Sequence, residues 1–358
     1  MAKIVVGMSG GVDSSLTAAL LVEQGHDVLG VYMQNWSDAT HLPGCGNWEE
    51  DRRDALRVAN QLSIPFRAVS FEKEYAAKVI GYMTTEYAAG RTPNPDMLCN
   101  REIKFGMLLD WGKKQGYEYV ATGHYAQVEH LPSGQGQSPT TTRGGRSRLW
   151  RGVDRAKDQS YFLAQLSQNQ LRHALFPLGE MTKVEVRGEA ARRRLPVADK
   201  PDSQGLCFVG EVNISEFLKE RIPATAGQVV TADGEVVGEH EGAAFYTVGQ
   251  RRGVGVSRSV PMYVLDTDIA MNQVVVGYDR DLYRREVATE FPHWLGEPGT
   301  SGQYDVVIRY RMQPEPAEVE VTDEGLAIRF ADEQRGPTPG QFAALYRGEE
   351  LVGSAVIR

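Results

Sequence analysis

Between Lys3 and Thr122 apolar runs of strand length alternate with longer amphipathic stretches, and this rhythm limits the possible folds more than any other feature. Lys3 to Met8, Val28 to Met33, Phe66 to Ser70 and Tyr119 to Thr122 read as buried strands. Ser14 to Gln24, Trp48 to Leu62, Lys73 to Ala89 and Arg101 to Lys114 read as the helices between them. Such alternation builds βαβ units around a parallel sheet. Gln168 to Leu175 and Lys183 to Arg194 read as further helices. Beyond Gly227, β-branched runs such as Gly227 to Thr231, Met262 to Asp266, Val274 to Gly277 and Ala343 to Tyr346 are separated by Gly turns. The expected class is α/β: an N-terminal parallel-sheet domain over 1–205, a small, mostly β central domain over 206–283, and a C-terminal β-barrel over 284–358.

No window approaches the roughly 18 apolar residues of a membrane span, and the run from Ile4 to Gly7 is too short for a signal peptide, so a cytoplasmic chain without a membrane partner is expected. The cysteines are Cys45, Cys99 and Cys207, an odd count without CxxC, which suits neither a disulfide framework nor a closed zinc site. The net charge of −8 argues against a uniformly basic surface. Locally, Arg143, Arg146, Arg148, Arg151, Arg155 and Lys157 stand against Asp154 alone, six cations less one acid, which suggests a basic face for nucleic acid.

The string SGGVDSS, Ser9 to Ser15, follows the first strand and opens the first helix. Its glycines let backbone N–H groups close on an anion, its serines add donors, and the helix N-terminus supplies a favourable dipole. There is no GxxxxGKS/T pattern and no lysine to reach distal phosphates, so a P-loop kinase or GTPase is disfavoured. In this context SGGVDSS resembles the PP-loop of the ATP pyrophosphatases.

RTPNPDMLCNREIKF, Arg91 to Phe105, places Cys99 at or near a helix start with Arg101 and Lys104 close by, a setting that lowers a thiol pKa. Asp96 could serve as base or orienting acid. Cys207 lies in GLCFVG, a Gly-flanked loop that a donor could reach. ATGHYA from Ala121, KDQSYFL from Lys157, TVGQRRGVGV from Thr247, VIRYR from Val307 and TPGQ from Thr338 complete a set in one order. Together these strings closely resemble the bacterial tRNA-specific 2-thiouridylase family, over nearly the whole chain.

The resemblance implies an N-terminal domain of the adenine nucleotide alpha hydrolase-like, PP-loop type. It implies an enzyme that uses ATP with Mg2+ to adenylate the wobble uridine 2-carbonyl in tRNA for Gln, Glu and Lys. It further implies sulfur transfer from a cysteine persulfide charged by a cysteine desulfurase or relay protein. By motif match, Gly7, Met8, Ser9, Gly10, Gly11, Val12, Asp13 and Ser14, with Met33 and Gly123, would bind the nucleotide. Cys207 would carry the persulfide, whose terminal sulfur would attack the activated carbon directly or be released as sulfide; Cys99 would attack the sulfur–sulfur bond and end in a disulfide with Cys207, and Asp96 would act as acid or base. Asn94, Pro95 and Asp96 would hold the target base, and His124, Lys157, Asp158, Gln159, Arg309, Tyr310 and Gln341 would contact tRNA. No metal ligand set is expected. An iron–sulfur cluster on Cys99, Cys207 and Cys45 or Asp96 is a disfavoured alternative, as are a PP-loop ligase without cysteine chemistry and a silent RNA-binding module. The stretch Leu131 to Arg148, rich in Gly, Ser and Arg, is expected to add a tRNA contact.

Overall fold

The computed structural model describes residues 1–36, 48–131, 145–202, 214–256 and 260–358. Five parallel strands form the first sheet: β1 (Lys3–Gly7), β2 (Asp27–Gln34), β3 (Phe66–Ser70), β4 (Tyr119–Ala121) and β7 (Ala174–Leu175), in the order β3-β2-β1-β4-β7. Ile4, Val5 and Val6 of the central strand are wholly buried, as an unbroken apolar run covered on both faces requires. Helices Val12–Glu23 and Trp48–Gln61 fill the first two crossovers.

Two local expectations are corrected. The helix expected from Arg101 begins at Pro95: Asn94 caps it by accepting from the Met97 amide, and Pro95 occupies the first turn, where its missing N–H costs nothing. The helical rod continues through a π-helical stretch, Cys99–Met107, into Leu108–Lys114. At Gly106 a Cβ would lie 2.9 Å from the Arg101 carbonyl, so the wide turn needs glycine. The second correction concerns Gln168 to Leu175, which is helical only over Gln168–Leu171; Ala174–Leu175 pairs with β4 instead, because the exposed sheet edge offers it main-chain partners.

Strands β8 (Gly227–Thr231), β9 (Val236–His240), β10 (Tyr263–Asp268) and β11 (Gln273–Gly277) make a small sheet ordered β10-β11-β8-β9. Beyond it, β12 (Tyr283–Trp294), β13 (Gly302–Val307), β14 (Glu315–Val321), β15 (Leu326–Arg335), β16 (Phe342–Arg347) and β17 (Glu350–Ile357) close into a barrel through the β12–β17 pairing. One sheet thus joins regions distant in the chain. The hairpin β5 (Ala126–His130) and β6 (Ser147–Arg151) extends the barrel sheet, with Trp150 and Leu149 paired to Glu350 and Leu351. The 205/206 boundary falls outside the described residues.

Candidate functional site

The loop between β1 and its helix has the form an anion needs. Gly10 is left-handed, with φ +78°, and a Cβ there would lie 2.3 Å from the Asp51 carbonyl. Gly11 is the helix N-cap and offers no side chain to bond the first-turn amides. Ser14 Oγ accepts from the Ser9 amide at 3.1 Å, and Ser15 Oγ donates to the Gly11 carbonyl at 2.8 Å, so side chains hold the loop open. Gly7 and Met33 meet across the neighbouring strands, the Met33 Cε lying 3.5 Å from a Cβ built at Gly7. Gly123 closes against the first helical turn, where a Cβ would stand 2.8 Å from Asp13 C and Ser14 N. The residues assigned to the nucleotide by resemblance are thereby brought together.

An ion cluster at this mouth was not foreseen. Lys183 Nζ bonds both Asp13 carboxylate oxygens, at 2.8 and 2.9 Å, and pairs with Asp202 at 2.8 Å. Tyr125 donates its hydroxyl to Asp13 at 2.7 Å. Asp202 also pairs with Lys157 at 2.9 Å and Arg187 at 2.7 Å. Partial burial works against the Asp202 charge, but the hydrogen bonds from Lys183 and Lys157 outweigh it and bring its pKa down to about 2. Only the MTK string that caps the helix Lys183–Arg192 could have signalled Lys183 in advance.

Cys99 is wholly buried one turn inside the helix, in the same apolar core as Met33, Phe105 and Leu108. Arg101, expected beside the thiol, turns to Glu102 at 2.9 Å and Gln165 at 3.1 Å. Asn94 is buried while Pro95 and Asp96 are half-buried. The barrel grips this segment: Gln341 Nε2 donates to the carbonyls of Thr92, at 2.8 Å, and Pro93, at 3.1 Å, and Asn94 Nδ2 donates to Gln341 Oε1 at 3.4 Å. Cys45 and Cys207 lie outside the described residues. Among the described residues no three His, Cys, Asp or Glu side chains form a metal-binding group.

Several expected RNA contacts are engaged internally. His124 is 7% exposed, its Nδ1 is 2.6 Å from Thr122 Oγ1, and burial with Lys104 nearby holds its pKa well below 6.5. Asp158 is saturated by Arg151 and by Gly152 and Ser160 amides, and Gln159 accepts from the Tyr125 amide. Arg309 is exposed and donates to the Gly336 carbonyl at 2.9 Å, and Tyr310 packs on Phe162 with ring centroids 4.4 Å apart.

The local basic cluster is corrected as well. Arg146 and Arg148 pair with Glu350, Arg151 with Asp158, Arg155 with Glu349, and Lys157 with Asp202. The register of β6 on β17 brings up the two glutamates, so the patch is largely neutralised by acids remote in sequence. Arg143, and residues 132–144 of the stretch expected to add a tRNA contact, lie outside the described residues.

A parallel sheet with an open glycine loop at its first crossover, followed by two β units, defines a HUP-type α/β protein with β-barrel appendages. Family models agree: a tRNA methyl transferase HUP domain matches residues 2–211, a tRNA methyl transferase PRC-barrel domain 215–278, and an aminomethyltransferase beta-barrel domain 284–357. The tRNA-specific 2-thiouridylase MnmA of Enterococcus faecalis is 43% identical, covering 99% of this chain and 95% of its own length. That of Listeria monocytogenes is 45% identical, covering 99% and 94%. The chain belongs to the tRNA-specific 2-thiouridylase family.

Among solved structures, a 4-thiouridine synthetase in an RNA complex with bound ATP is similar at a TM-score of 0.35 and 16% identity, covering 62% of this chain and 50% of that one. The NMN synthetase of Francisella tularensis follows at 0.33 and 16%, covering 56% and 66%. Among the described residues no helix is long and apolar enough to cross a membrane.

Proposed function

We propose that this enzyme converts the wobble uridine of tRNAs for Gln, Glu and Lys to 2-thiouridine, using ATP with Mg2+ and a persulfide delivered by a cysteine desulfurase or relay protein. One observation carries the reading beyond family membership: an uncapped, glycine-shaped anion loop and a buried thiol share one domain, with Met33 beside the loop and Cys99 in a single apolar core. Bound ATP supplies an α-phosphoryl group that turns the uracil O2 into a leaving group, AMP.

The chain's own residues do the rest. Gly7 to Ser14 hold the phosphates by main-chain N–H groups at the helix end, and Met33 and Gly123 flank the adenosine. Asn94, Pro95 and Asp96 receive the flipped base, and Asp96 moves a proton at the uracil. The terminal sulfur of the Cys207 persulfide attacks C2 and expels AMP. Cys99 thiolate then attacks Cys207 Sγ, breaking the sulfur–sulfur bond, leaving the sulfur on C2 and a Cys99–Cys207 disulfide that an external thiol reduces. His124, Lys157, Asp158, Gln159, Arg309, Tyr310 and Gln341 border the tRNA; of these Arg309 is exposed and suits a backbone contact, whereas the Tyr310 ring packs on Phe162. The domains are taken as 1–205, 206–283 and 284–358, and the enzyme as cytoplasmic.

Methyl transfer, the chemistry in the family models' names, needs no cysteine pair. Reconstitution separates the two: purified protein, ATP, Mg2+, a persulfide source and unmodified tRNA should yield 2-thiouridine by mass spectrometry. A methylated base, or no thiolated product with a competent donor, refutes the reading.

A further inference from the structure

The loop that faces the nucleotide carries an acid, Asp13, in the first turn of its helix and has no lysine of its own. A bare carboxylate there would repel a triphosphate. The fold supplies a cation from 170 positions away: Lys183 Nζ holds both Asp13 oxygens, at 2.8 and 2.9 Å, and also reaches Asp202 at 2.8 Å.

The backbone of Lys183 is pinned. Thr182 and Glu185 form a capping box around it, and its amide donates to Asp154 at 2.9 Å. Its side chain is 12% exposed, and Nζ lies between two carboxylates, so a ligand at the loop would meet it as an exchange of partners. Asp202 can spare it, since Lys157 and Arg187 pair with the same carboxylate at 2.9 and 2.7 Å. Asp13 keeps the Tyr125 hydroxyl at 2.7 Å.

We infer that Lys183 is the phosphate-binding cation of this loop: when a polyphosphate enters, Nζ leaves Asp202 for a phosphate oxygen while retaining Asp13. The inference rests on the ATP reading and adds to it a residue that the loop sequence lacks. Chemically the exchange trades one charge-assisted hydrogen bond for another, and the acid left behind stays paired. A fixed role, in which Lys183 merely braces two helices, would give Nζ no reason to distinguish ligands with and without distal phosphates.

Calorimetric titration of the full chain with ATP, inorganic pyrophosphate and AMP tests it. K183Q should weaken ATP and pyrophosphate roughly ten- to a hundredfold and AMP by less than about threefold, the scale of one lost charge-assisted hydrogen bond. AMP binding also reports whether the adenosine side remains folded. Equal loss of ATP and AMP would show a bracing role and overturn the inference, as would unchanged ATP binding. Wild-type protein that binds neither ATP nor pyrophosphate would instead remove the ATP reading itself, and the inference with it.

Discussion

Gln341 Nε2 donates to the Thr92 carbonyl across 2.8 Å, although the two residues stand 249 positions apart in the chain. The amide amide-clamps the loop ahead of Asn94 from the barrel side, and Thr92 N closes the contact by donating to the Pro339 carbonyl at 2.8 Å. Gly340, with φ +88°, allows the approach, since a Cβ there would lie 3.0 Å from Arg91 and Thr92 atoms. Gln341→Ala should leave two carbonyls short of a donor and cost about 1–3 kcal/mol in stability. If Gln341 acts by placing Asn94 to Asp96, turnover should fall more than tRNA affinity. Filter binding and single-turnover thiolation, measured together, check this; a loss confined to affinity would make Gln341 a tRNA contact only.

Gly123→Ala puts a methyl 2.8 Å from main-chain atoms of Asp13 and Ser14, which cannot yield without moving the helix start. ATP affinity should drop about tenfold or more, a difference of at least about 1.4 kcal/mol. Gly188→Ala is the control: nothing lies within 4 Å of the added Cβ, and the exchange should stabilise the helix by up to about 1 kcal/mol. Calorimetry and urea unfolding read the two effects.

Cys99→Ser and Cys207→Ser should each abolish 2-thiouridine while tRNA-dependent pyrophosphate release continues. After one turnover without reductant, the wild-type digest should contain a peptide joining Cys99 to Cys207. Retained thiolation in both variants would eliminate the cysteine mechanism. Because Cys99 is wholly buried, alkylation in the resting protein should be slow and should quicken on unfolding.

His124 gives a pH prediction with a definite sign. Its folded pKa is depressed well below 6.5, by burial first and Lys104 second, so below pH 6.5 the unfolded chain binds the extra proton. The stability it contributes is present above that value and is lost as pH falls. Between about pH 7.5 and about pH 5.5 the wild type should lose roughly 1.4 kcal/mol more than His124→Phe. Urea midpoints at the two pH values decide; equal losses would mean that His124 protonates in the folded protein.

Much of the N-terminal fold was legible. β1 carries the buried β-branched run Ile4 to Val6, and the helix that SGGVDSS opens starts at Val12, where the Gly-Gly pair ends and two residues ahead of the Ser14 expected. The helix read from Arg101 begins six residues earlier, because Asn94 caps it and Pro95 is a helix-starting residue. The glycine loop and the segment bearing Cys99 could be located because their residues lie in short strings.

What the sequence by itself determined is therefore much of the local form: the strand–helix alternation, the glycine loop and the β-rich C-terminal third. These follow from residue periodicity and backbone freedom, which act over a few positions. Tertiary structure alone decided which charges distant in the chain meet. It drew Lys183 to Asp13, paired Arg146 and Arg148 with Glu350, and set Gln341 over Thr92. The reason is physical: an ion pair or side-chain hydrogen bond is chosen by sheet order, register and burial, and none of these is encoded in the spacing between the two partners.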